Sequence, residues 1–192
     1  MWTQPVPPAL SDDVVAGLLP SAKAHLRVTT DDEDDLISAQ IRTAIGHVEK
    51  MIGGFIIARE VTVLATAWSD LDRLPTAPVA EVSSIQYLPH GAADPEVLTE
   101  GGYRKRLVGL DPKVTVAPGQ RWPVIASGSD ISVSLVAGYT DDDRPPELWQ
   151  AALLLIGQWF RNRSAVNVGN IVNELPNGVD ALLCNHRRYL AG

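Results

Sequence analysis

The sequence predicts an α+β fold, a helical bundle formed by N- and C-terminal helices with a small antiparallel β region inserted in the middle. Three observations predict it. Apolar residues recur with a period near 3.6 between Ile37 and Ile52, as on an amphipathic helix, and from Leu148 to Phe160 they cover most of a helix's circumference. Between those stretches, short runs alternate with a period of two and are cut by Gly- and Pro-containing segments, which is strand and turn patterning. No helical pattern separates those runs, so their strands lack crossovers and are expected to pair antiparallel.

The chain has 192 residues, 45% of them hydrophobic and 20% charged, and carries a formal charge of −7. That length buries a core without disulfides or metals and is expected to form a single domain. Its expected divisions are an extended arm over 1–10, a helical stretch over 19–54, a β-rich stretch over 58–140 and a helical stretch over 145–190. Pro5, Pro7 and Pro8 mark the arm. Leu10–Leu19 reads as a short helix or strand closed by Pro20, after which Ala22, Ala24 and Leu26 form a helical turn.

The acidic run Asp31–Asp35 precedes Ile37, Ile41, Ala44, Ile45, Val48 and Ile52, which share one helical face, and Gly53-Gly54 stops the helix. Strands are expected around Val61–Ala65, Val82–Leu88, Lys113–Ala117 and Ile131–Ala137. Asp141–Asp143 and Pro145-Pro146 then read as a helix cap and first turn. The helix that follows is apolar around most of its circumference, with Trp159 expected in the core. A last helix is expected from Val179 to about Tyr189.

Several function classes find no support. The four histidines, His25, His47, His90 and His186, form no pair at metal-ligating spacing. In the acidic run, the sixth residue is Leu36 and the twelfth Arg42, where a calcium loop needs glycine and glutamate. Gly128-Ser129-Asp130 is no nucleophile elbow, and neither Gly53-Gly54 nor Gly101-Gly102 continues into a phosphate loop. Cys184, the single cysteine, lies in the apolar setting Leu182-Leu183-Cys184 and is expected to be buried and inert. One cysteine makes no internal bridge, no run is long enough to span a bilayer, and the first residues do not read as a signal peptide. An intracellular protein without catalytic residues, cofactor or metal is the expectation. The negative charge disfavours tight grip on nucleic acid. A nucleic-acid-processing factor would need a clustered basic face, and a small hydrolase would need a nucleophile with a placed base.

Two basic pairs stand apart. Arg161 and Arg163 flank Asn162 at a helix end, and Arg187 and Arg188 lie near the C-terminus. They either complement helix dipoles or meet carboxylates across a subunit interface. Both readings remain open.

In order along the chain come Leu19-Pro20-Ser21-Ala22-Lys23-Ala24-His25-Leu26-Arg27-Val28, the helix start Asp34-Asp35-Leu36-Ile37, then Ala44 and Glu49 before Gly53. Ala77-Pro78-Val79, Ser83-Ser84-Ile85, Tyr103 and Trp122-Pro123 follow. Val136-Ala137-Gly138-Tyr139, Pro145-Pro146-Glu147-Leu148 with its helix, and Leu175-Pro176-Asn177-Gly178-Val179-Asp180-Ala181-Leu182-Leu183 complete the pattern.

From about Leu19 to Arg188 this order resembles the head–tail connector (adaptor, or head-completion) family of long-tailed bacteriophages and phage-derived gene transfer agents. The resemblance implies a structural part of the particle, made in the bacterial cytoplasm. It would bind the portal protein as a ring, usually of twelve copies, and dock the stopper or tail-completion protein. Double-stranded DNA would pass through the ring without tight binding. By analogy the portal contact falls on His186, Arg187, Arg188, Tyr189 and Leu190, with Arg161 and Arg163 as further interface candidates. The alternatives are a stopper or tail-completion protein, which would be richer in strands, or a DNA-packaging accessory factor.

Overall fold

The computed structural model describes residues 2–3, 8–162 and 178–188. The chain folds as α+β and divides into two compact units, Met1–Pro8 with Ile57–Asp142, and Ala9–Ile56 with Asp143–Gly192. The first unit holds the strands and the second the helices.

In the helical unit, α1 spans Asp12–Leu26 and buries Val15, Leu18 and Ala22, positions three and four apart on one face. Ser11 caps it by accepting the Val14 N–H. The expected break at Pro20 does not occur; the helix continues past it to Leu26. Proline removes its own donor and crowds the carbonyl of Ala16, but Ala16 is exposed, so that carbonyl can tilt outward and bond to water. Lys23 on α1 then pairs with Asp31 and Asp34 at 2.7 and 2.6 Å, holding the acidic turn that opens α2.

Helix α2, Asp34–Ile52, buries Ile37, Ile41, Ala44, Ile45, Val48 and Ile52, the face that the periodicity predicts. Gly53 ends it at φ 70°, a left-handed conformation natural to glycine. Glu49 is buried too, and its Oε1 accepts the Ile56 N–H at 3.0 Å. A carboxylate in the core thereby satisfies a backbone donor of the turn after the helix.

Helix α3, Pro146–Arg161, starts with Pro145 at the cap position and Pro146 in the first turn. The cap position falls on Pro145 rather than on any of Asp141–Asp143, because proline's fixed φ suits the helix start. Leu148, Ala151, Ala152, Leu153, Leu155, Ile156 and Gly157 are buried, whereas Trp149, Trp159 and Phe160 are only half-buried. Helix α4 is short, Val179–Leu183, and a 3-10 turn at Cys184–His186 replaces its expected continuation. The Arg188 N–H donates to the Ile52 carbonyl at the end of α2, which takes the chain out of helical geometry. The same change of course leaves Cys184 exposed, contrary to the expectation of a buried thiol.

In the strand unit, β1 (Trp2–Thr3), β2 (Arg59–Ala65), β3 (Val79–Tyr87), β4 (Glu96–Val97) and β7 (Ile131–Ala137) form one antiparallel sheet in the order β1-β2-β7-β3-β4. Central β7 alternates strictly, burying Ile131, Val133, Leu135 and Ala137, and pairs Val133 with Val63 on one side and Ile85 on the other. Both edges are closed by two-residue strands, too short to template further pairing. β1 draws the first residues of the expected free arm into the sheet, and the Trp2 indole N–H donates to the Asp70 and Arg73 carbonyls. A separate two-stranded ribbon joins β5 (Tyr103–Arg106) to β6 (Lys113–Val116).

Candidate assembly surfaces

The residues singled out near the C-terminus fare differently. Arg161 is exposed at the end of α3, where its Nε donates to the Gly157 carbonyl at 3.0 Å, an arrangement that complements the helix dipole. Arg187 forms an ion pair with Asp180 at 2.6 Å on the same short helix–turn unit. Arg188 is only 8% exposed, drawn in by its backbone bond to Ile52. His186 is half-buried in the 3-10 turn. Arg163, Tyr189 and Leu190 lie outside the described residues. The structure thus places His186, Arg187 and Arg188 side by side against α2 and α4, while Arg161 bonds back to its own helix.

The β5–β6 ribbon carries a surface that periodicity did not reveal. Tyr103 and Val114 are buried on one face. Lys105 shares that face and folds back, donating to the Val82 carbonyl at 2.8 Å with its ammonium 5.7 Å from the Tyr103 ring centre. The other face holds Arg104, Arg106 and Lys113, since Arg106 sits directly opposite Lys113 in the ladder. Like charges opposite one another cost stability unless an anion screens them. None of these three cations has an ionic or hydrogen-bonded partner among the described residues. Beside them lies a concavity of about 560 Å³ lined by three basic residues, Arg73, Arg106 and Lys113, two acidic ones, Asp72 and Asp111, and the apolar Val108 and Leu110. Within it Arg73 is already paired with Asp111 at 3.0 Å, and Val108 is 86% exposed. The Leu74 N–H, bonded to the Pro112 carbonyl, fixes the ribbon's loop to the rest of the unit.

A third feature is aromatic. Trp68 and Trp122 stack in parallel at 4.7 Å, and Tyr87 meets Trp68 edge-on at 5.5 Å. The Trp68 indole N–H donates to the Pro123 carbonyl at 2.8 Å, so a hydrogen bond helps to fix the part-buried stack.

Among the described residues no group of three or more His, Cys, Asp or Glu side chains could hold a metal ion, and no helix is long and apolar enough to cross a membrane. The Tyr139 hydroxyl is pushed up by burial, and Tyr87 by burial and by Glu96, whose carboxylate accepts the Tyr87 O–H at 3.4 Å. What the geometry offers is surface: a cationic ribbon, an aromatic stack and a half-exposed aromatic helix end.

The whole fold recurs in particle necks. The chain is similar to a chain in the neck of an empty gene transfer agent (GTA) particle, computed with C6 symmetry, with 26% identity and a TM-score of 0.77. It is similar also to a chain of the virion of a native GTA particle, at 27% identity and TM-score 0.74, and to one in the neck of a native GTA particle computed with C12 symmetry, at 25% and 0.70. Each similarity covers 100% of this chain and 98% of the other. No family model and no curated relative matches the chain.

Proposed function

We propose that the chain is a structural neck component of a gene transfer agent or phage-like particle, and within the neck its head–tail connector. The observation that carries this reading is the end-to-end similarity to GTA neck chains, covering 100% of this chain and 98% of theirs. A shared helical end alone would be a weak argument, because helices of this kind recur in unrelated folds. Here the similarity runs the whole length of the chain, strand-bearing middle included.

In this role the chain stands as a ring on the portal protein, extends the DNA channel and offers a docking surface to the stopper or tail-completion protein. Its work is contact rather than catalysis. The half-exposed Trp149, Trp159 and Phe160 on α3 suit a helix that shares part of its apolar circumference with a partner. The charge of −7 suits a body past which DNA moves without adhering. The segment His186–Leu190, with Arg161 and Arg163, remains the proposed portal contact.

The test is native mass measurement of the purified chain, alone and mixed with the portal protein of the same particle. A portal–ring complex supports the connector role. A chain that ignores the portal but binds the tail-side protein reassigns it to the stopper position.

A further inference from the structure

The β5–β6 ribbon presents a charge arrangement at odds with the rest of the chain. Arg104, Lys105, Arg106, Asp111 and Lys113 give residues 104–113 a net charge of +3, so with −7 overall the remaining residues sum to −10. Arg104, Arg106 and Lys113 share one face without a partner, and Val108 stands exposed at the ribbon's loop. A binding partner for that concavity should be acidic and should bring an apolar side chain.

The start of α2 has both properties. Asp31 and Asp34 are occupied by Lys23, but Asp32 and Asp35 are exposed and have no partner among the described residues. Next to them Leu36 is 39% exposed, one of few large apolar side chains left open to solvent.

We propose that the cationic concavity beside β5–β6 takes the acidic start of α2, with Asp32, Asp35 and Leu36, from a second copy of the chain. The two surfaces belong to different parts of the molecule, so the contact is head-to-tail, and repeated head-to-tail contacts close into a ring when the rotation between copies permits. The similar chains occur in particle necks computed with C6 and C12 symmetry, which is where such a contact would be used. The carboxylates of Asp32 and Asp35 meet Arg106 and Lys113, relieving the like-charge pair across the ribbon, while Leu36 covers Val108. A DNA backbone is the other anion to consider. It offers nothing for Val108 and Leu110 to cover, and the −10 of the remaining residues repels it. The inference rests on the neck reading for its setting, but its test does not require a portal.

The experiment is charge exchange in the full chain, read by sedimentation velocity at about 50 mM salt, where exposed charges are weakly screened. The wild type self-associates, and raising the salt weakens it. R106E/K113E and D32K/D35K each self-associate at least about tenfold more weakly, because like charges now face each other. Mixed in equal amounts, the two variants associate again, since each supplies the surface the other lacks. Recovery on mixing also shows that both are folded. Three results overturn the proposal: a wild type that stays monomeric at low salt and high concentration, variants that associate as the wild type does, or a mixture that fails to recover. Binding of a short DNA duplex that R106E/K113E abolishes while self-association stays intact assigns the ribbon to phosphate and overturns it as well. Intact self-association with no binding to the portal would count against the connector role alone.

Discussion

Gly138 and Ile57 meet backbone to backbone: a β-carbon on Gly138 would lie 2.3 Å from the Ile57 carbonyl oxygen. Gly138 also stands at φ 108°, a region side chains rarely enter, and its N–H donates to the Pro78 carbonyl. One residue on, the Tyr139 carbonyl accepts the Ala58 N–H. The Ala137-Gly138-Tyr139 element of the sequence pattern is therefore a crossing point where the chain enters and leaves the sheet.

Gly138→Ala is expected to cost about 3 kcal/mol, since strain and overlap act together and the opposing atoms are backbone. Urea unfolding measures it. A loss within experimental error of zero would mean that the crossing opens easily and is not fixed as described.

Leu155 is 1% exposed and fully packed in the helical unit, and Leu155→Ala should cost roughly 2–5 kcal/mol. Trp159 was expected in the core, yet it is half-buried, with His47 edge-on at 6.2 Å. Trp159→Ala should therefore cost less than Leu155→Ala, about 1–2 kcal/mol, because part of its surface already faces water. The reverse order in thermal or urea unfolding would show that Trp159 is covered.

Asp70 holds the turn after β2 by accepting the Thr66 and Ala67 N–H groups at 3.1 Å each. Burial pushes its carboxyl up, but the N-terminal ammonium and, after it, the bonds from Ala67 and Thr66 act the other way, and the net shift is downward. A carboxyl held below its unfolded value stabilises the fold above the ordinary carboxylate range near pH ~4, and that contribution is lost as pH falls through the folded value. Asp70→Asn should accordingly be destabilising at neutral pH, with the gap to wild type closing on acidification. Unfolding midpoints at neutral and acid pH check this; an unchanged gap would contradict it.

Arg187 and Asp180 are an exposed pair, so removing either should change stability by no more than about 0.5–1 kcal/mol. Arg187→Ala is thus a suitable probe of the proposed portal contact, and calorimetric unfolding should be nearly unchanged. Truncation after Leu183 is a poorer probe, because it also removes the Arg188 N–H bond to Ile52 and the burial of Arg188.

Periodicity made the large elements legible. The buried face of α2 and the alternation of β7 follow directly from residues that repeat every three to four or every two positions. Pro20 misled because helix rules weigh the lost donor, whereas an exposed helix face leaves the freed carbonyl to water. Tyr103-Arg104-Lys105-Arg106 gave no strand signal, since only Tyr103 buries an apolar side chain there. β1 and β4 are two residues each, below the length at which alternation can be read. Among the surfaces, the C-terminal arginines were visible as charges, but the turn that buries Arg188 depends on Ile52, far away in sequence. The ribbon's cationic face needed the register that sets Arg106 against Lys113.

The most direct measurement is electron cryomicroscopy of particles from the producing cells, with the chain present and with it deleted. A neck component should appear as density between head and tail, and its deletion should leave DNA-filled heads without tails, restored by the wild-type chain. Complete, tailed particles formed in its absence would contradict the account.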